Sequence, residues 1–124
     1  MKETPERILQ VIYKLSLEDE LLKSVEIGKR LELSRPDVFH AVKLLKGWGY
    51  VAQKRYGKIA LTEKGREKAE KMQRIHRGLI QFFSHVVGLS EAESSAAAFS
   101  AEHVLSDNAM NKILDALIKY NLTK

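Results

Sequence analysis

A chain of 124 residues, 44% hydrophobic and 30% charged, can bury a core and is too apolar to stay disordered. No apolar run approaches the roughly 20 residues of a membrane span. Without cysteine, disulfides, thiolate ligands and thiol nucleophiles are excluded. The net charge of +5 is unevenly spread: residues 1–75 hold 17 Lys/Arg against 11 Asp/Glu, and residues 76–124 hold 4 against 5. A basic excess confined to the front suits a polyanion, nucleic acid before an anionic membrane. The start, MKETPERILQ, lacks the basic-then-apolar order of a secretory signal, so a cytoplasmic chain with no membrane attachment is expected.

Thr4-Pro5 reads as an N-cap followed by proline at the first helical position, and Ile8, Val11, Ile12 and Leu15 form the stripe of a first helix. Glu18-Asp19-Glu20 is a solvated connection. Ser24 opens a short second helix, Val25–Leu31, with Lys29 and Arg30 outward. Ser34 then caps a third helix, Arg35–Trp48, whose stripe is Val38, Ala41, Val42, Leu45 and Trp48, and Asp37 suits the helix dipole. Gly47 and Gly49 end it. Two helices joined by so short a turn predict a helix-turn-helix.

Over Tyr50–Leu61 the period changes to that of a strand pair: Val51, Gln53 and Arg55 on one strand, Ile59 and Leu61 on the other, with Lys54-Arg55-Tyr56-Gly57-Lys58 as the turn of a wing. Thr62 caps a long fourth helix over Glu63–Phe83, charged first and then apolar through Leu79, Ile80, Phe82, Phe83, Val86 and Val87, and Gly88 stops it. Ser90 caps a fifth helix to about Leu105, and a sixth runs from Asp107 to Tyr120. The expected fold is mainly α with a small β-hairpin: a winged helix-turn-helix domain over 1–63, then an all-helical dimerisation domain over 64–124. Three lone helices cannot hide the apolar residues of the second part, so a partner copy is expected.

Off the stripe of the third helix lie Arg35, Pro36, Phe39, His40, Lys43 and Lys46. A recognition helix needs one face locked and the other offering donors to bases and phosphates. Arg35 suits guanine O6/N7, His40 a base edge, Phe39 a thymine methyl, and Lys43 and Lys46 the phosphates. In the wing, Lys54, Arg55 and Lys58 suit the backbone or minor groove, with Tyr56 orienting the loop. Taken singly, Phe39 fits equally well against the first helix, and His40 as an ordinary surface histidine. A glycine-rich phosphate loop and a nucleophile elbow are both missing, so no enzyme is expected.

Ser34-Arg35-Pro36-Asp37-Val38, Leu61-Thr62-Glu63-Lys64-Gly65, Ile75-His76-Arg77, Val86-Val87-Gly88-Leu89 and Ala101-Glu102-His103-Val104-Leu105-Ser106-Asp107 occur in that order. In these segments the chain resembles the diphtheria-toxin-repressor and manganese-transport-regulator family of metal-dependent repressors, in its short two-domain form. The resemblance implies a homodimer joined through the C-terminal helices that binds an inverted-repeat operator in double-stranded DNA when Mn²⁺ or Fe²⁺ is bound. His76, Glu102 and His103 match family ligands. Arg7, Gln10, Ile80 and Phe99 stand where the family places other donors, so a partly degraded metal site is implied. Glu102 and His103 are neighbours on a helix, projecting about 100° apart, and need not share one ion. Glu102 has Arg7 as an alternative partner. His85 is a spare ligand whose simpler role is to complement a helix end. The same scaffold admits a metal-independent regulator answering to another ligand, and a protein-interaction adaptor using Phe39.

Overall fold

The computed structural model describes residues 3–121, the side chains of Glu3 and His103 excepted. Two compact units meet in sequence between Ala69 and Glu70. The first contains α1 (Glu3–Leu17), β1 (Leu22–Lys23), α2 (Ser24–Leu31), α3 (Arg35–Gly47), β2 (Val51–Gln53) and β3 (Lys58–Leu61). It also holds the start of α4 (Glu63–Gln81). The second contains the rest of α4, a π-helical turn over Phe82–Val87, α5 (Glu91–Val104) and α6 (Asp107–Lys119).

In the first unit α1 packs on α3 and β3, and α2 packs on α3. Ile8, Ile12 and Leu15 are buried as the spacing predicts. Leu9 is buried as well, whereas Val11 is only half-covered. The helix already includes Glu3, so Thr4 lies inside the first turn instead of capping it; Pro5 is tolerated there because first-turn N–H groups have no helical partner. Three strands, in the order β1-β3-β2, form an antiparallel sheet. Val51 faces Leu61 and Gln53 faces Ile59, while Leu22 faces Ile59 from the other side. β1 escapes sequence reading because two residues have no period to read. The wing turn is a tight turn over Arg55–Gly57 with Tyr56 in the left-handed region, so Arg55 belongs to the tip and not to the strand.

Trp48 departs from the expected stripe. It is the C-cap residue of α3 and is 45% exposed. A stripe extrapolated by three residues past Leu45 reaches Trp48 only if the helix continues, and it ends at Gly47. Gly49, at φ +81°, turns the chain toward β2.

The second unit has its core at Ile75, Leu79, Ala98 and Leu114, with Ile80, Phe83, Ala101, Met110 and Ile113 packed around it. Ser90 opens α5 with a reciprocal capping box: its hydroxyl accepts from the Glu93 N–H and the Glu93 carboxylate accepts from the Ser90 N–H. The fourth helix keeps α geometry only to Gln81, then widens into the π turn that ends at Gly88, φ +88°. Six largely apolar residues carry no signal separating a 3.6 from a 4.4 period, so the sequence reads them as plain helix.

Candidate nucleic-acid interface and the His76–Glu102 pair

α3 is held in place by its ends and by one face. Ser34 accepts a hydrogen bond from the Asp37 N–H at 3.2 Å, fixing the helix start. Val38, Ala41, Val42 and Leu45 are buried, fixing its rotation. Arg35, Pro36, Phe39, His40, Lys43 and Lys46 are then all exposed on the remaining surface. Phe39 is 70% exposed, so it does not pack on α1. An aromatic ring left in water forgoes about 25 cal/mol per Å² of coverable apolar surface.

Lys46 donates to Gln53 Oε1 at 3.1 Å, tying the end of α3 to the wing. At the tip Tyr56 is 77% exposed and left-handed at φ +62°, followed by Gly57 at φ +75°. A non-glycine residue pays roughly 1–2 kcal/mol for that conformation. Lys54, Arg55 and Lys58 are exposed around it, and Lys58 lies directly opposite Lys23 across the β1–β3 pair. Like charges facing each other on a sheet are unfavourable until an anion is present.

Sequence reasoning missed one positioning residue, Lys64. Its ammonium donates to the Trp48 carbonyl at 2.9 Å and sits 5.4 Å from the centre of the Tyr50 ring. The Trp48 and Tyr50 rings are 6.2 Å apart. The signal was available as a cation just inside the helix that follows the wing, but nothing local relates it to an aromatic 16 residues earlier.

In the second unit His76 Nδ1 of α4 and Glu102 Oε2 of α5 lie 2.8 Å apart, with side chains 39% and 17% exposed. That hydrogen bond raises the His76 pKa above its ordinary 6.5; burial opposes the rise, the Glu102 charge adds to it and Arg77 subtracts. Glu102 therefore has His76 as its hydrogen-bonded partner. His103 lies on α5, and its side chain is outside the described residues. Ile80 packs against the apolar core and Phe99 is half-exposed; neither can donate to a metal. Arg7 is exposed, and the Gln10 amide reaches the Ala69 carbonyl at 3.4 Å. His85 is exposed on the π turn. No group of three His, Asp or Glu side chains is gathered among the described residues. An imidazole and a carboxylate suit Mn²⁺ or Fe²⁺ in kind, but they supply two ligands where such ions take about six.

A capped helix presented beside a basic wing, followed by a separate helical unit, defines a winged helix-turn-helix regulator. Residues 62–121 match the iron-dependent repressor metal-binding and dimerisation domain. The chain is 33% identical over 114 residues to an HTH-type transcriptional regulator of Methanocaldococcus jannaschii, covering 91% of each. It is 31% identical over 115 residues to the iron-dependent repressor IdeR of Mycobacterium tuberculosis, covering 93% of this chain and 50% of that protein. The solved manganese regulator SloR superposes with a TM-score of 0.74 at 29% identity, over 97% of this chain and 55% of that one. The chain belongs to the iron-dependent repressor family, the diphtheria-toxin-repressor and manganese-transport-regulator group of helix-turn-helix transcriptional regulators. It spans nine-tenths of the Methanocaldococcus protein and about half the length of IdeR and SloR. The relatives are regulators, not enzymes, and among the described residues no helix is long and apolar enough to cross a membrane.

Proposed function

We propose that this chain is a dimeric, cytoplasmic transcriptional repressor that binds an inverted-repeat operator in double-stranded DNA, one winged helix per half-site. Residues 1–63 act as the DNA-binding domain and residues 64–124 as the dimerisation domain. The supporting observation is the outward face of α3, where an exposed Phe39 sits among Arg35, His40, Lys43 and Lys46. A phenyl ring surrounded by cations matches a groove edge that offers both thymine methyls and phosphates. Arg35 forks onto guanine, His40 meets a base edge and Pro36 lies against the sugar-phosphate or a methyl. Lys43, Lys46, Lys54, Arg55 and Lys58 hold phosphates.

Regulation by Mn²⁺ or Fe²⁺ falls to His76, Glu102 and His103, the residues that would hold the cation, with water completing its shell. A bound cation would supply a positive charge joining α4 to α5, in place of the direct His76–Glu102 hydrogen bond. So few protein donors imply a weaker ion than a full carboxylate set would hold.

Fluorescence anisotropy with duplexes from the chain's own upstream region tests the reading. Affinity is expected to fall steeply with salt, because phosphate neutralisation releases counterions. Lys43→Ala should lower the salt slope by about one unit for each half-site, and Arg35→Ala should cost about 1–3 kcal/mol at one base position. Binding that ignores salt, or no binding to any duplex, rejects the DNA assignment. Equal affinity with Mn²⁺ and with a chelator makes the chain a metal-independent regulator. An unchanged function in the Lys43→Ala, His40→Ala double variant favours the adaptor.

A further inference from the structure

The first unit contains a cleft that shares Arg35 and Phe39 with the proposed DNA-facing surface but runs beyond it to Val25, Lys29 and Leu33. It lies between α2 and α3 and has a volume of about 270 Å³. Val25, Leu33, Val38 and Phe39 form its apolar walls, and Lys29 and Arg35 stand among them. No acidic residue lines it, and neither cation is paired with a carboxylate among the described residues. The cleft cannot shrink by bringing the helices together, because they already touch: a Cβ at Gly28 would fall 2.8 Å from Val38 Cγ2. Val38 is a buried floor, whereas Val25 and Phe39 are 43% and 70% exposed at the rim. A preformed apolar cleft with a few polar groups is the usual form of a small-molecule site, and this volume falls just below the usual range of roughly 300–1,000 Å³, which suits a small ligand.

We propose that this cleft binds a small monocarboxylate with an apolar body, its headgroup on Lys29 and Arg35 and its body against Val25, Leu33, Val38 and Phe39. The charge complement selects the class. A neutral apolar molecule leaves two cations unused. A multiply charged anion finds walls that are mostly apolar and pays to desolvate its extra charge. One carboxylate on a guanidinium fork, with an ammonium beside it, uses both features. The ligand would cover Phe39 and Arg35, the side chains assigned to the bases, so occupancy releases DNA. That consequence rests on the proposed DNA binding; the site itself does not.

Titration of the full chain with octanoate, followed by ¹H–¹⁵N NMR, tests the site, with octanol and acetate as separated tail and head. Saturable shifts are expected at Val25, Lys29, Arg35 and Phe39, with octanoate tighter than either half by about fivefold or more. Lys29→Gln and Val25→Asp should each weaken octanoate by about fivefold. Both positions are exposed, and an acid in the first turn of α2 suits the helix dipole, so the fold is retained and is checked by circular dichroism. Octanol as tight as octanoate, shifts confined to the second unit, or variants that bind like the parent overturn the proposal. So does a duplex that moves these resonances when octanoate leaves them still. A chain that takes octanoate but no duplex keeps this site and loses only the DNA reading.

Discussion

A methyl group added at Gly65 and one added at Gly78 are expected to differ sharply, although both glycines lie in α4. At Gly65 the new carbon would fall on the Tyr50 carbonyl, a backbone group that the Thr62 N–H also uses as acceptor. At Gly78 it would meet Leu117 Cδ1 at 2.5 Å, the far end of a flexible side chain. Alanine gains roughly 1 kcal/mol of helix propensity over glycine, which offsets much of a soft clash and little of a hard one. Gly78→Ala is therefore expected within about 1 kcal/mol of the parent, and Gly65→Ala destabilised by about 3 kcal/mol. Urea denaturation measures both, and equal losses would refute the contrast. Thr4 apart, the caps read from sequence hold: the Ser34 and Ser90 hydroxyls take the N–H groups three residues on. Thr62 does likewise, accepting from the Gly65 N–H while donating to the Gly49 carbonyl. A cap is chemistry within four residues. Trp48 and Lys64 were misread or missed because their environments depend on where a helix stops and what returns to it 16 residues later.

Between elements, the His76–Glu102 bond joins α4 to α5. The folded His76 pKa is raised above the unfolded value of 6.5, first by the hydrogen bond to Glu102. The folded chain therefore holds its proton more tightly than the unfolded one. Stability from the pair is complete below the unfolded value and is lost as pH rises through the raised folded value. Because His76 is more than a third exposed, the change is expected to stay below about 1 kcal/mol after solvent screening. Melting temperatures across that pH window, with a chelator present, should decline for the parent and not for His76→Gln; parallel curves for the two would remove the linkage. The pairing was only partly legible. Sequence brought His76, Glu102 and His103 forward as a group through family resemblance, but whether Glu102 turns to His76 or Arg7 depends on packing between segments 26 or more residues apart. The helices were legible as elements, and for all except the eight-residue α2 the reason is a period that runs for three or more turns. A two-residue strand and a six-residue π turn were not.

At the scale of the molecule, the basic excess lies in the first part of the chain, and the proposed role of the second unit turns on its exposed apolar side chains. Val86, Val87, Phe99, Val104 and Ile118 are all about half-exposed or more, Val104 at 82%, in a unit whose own core already uses Leu79, Ala98 and Leu114. Exposed apolar side chains recur on the π turn, α5 and α6, and the proposed self-complementary contact between two copies would cover them. Sedimentation of the parent is expected to report a dimer. The double variant Val87→Glu, Val104→Glu should sediment as a folded monomer, because both positions are exposed within one chain and burying four carboxylates across the interface is prohibitive. Its operator affinity should fall by about a hundredfold or more, since two linked heads gain roughly 10²–10⁴ over one, whereas affinity for a single half-site should hold. A parent that sediments as a monomer yet binds both half-sites with undiminished affinity would mean that this surface serves something other than a second copy.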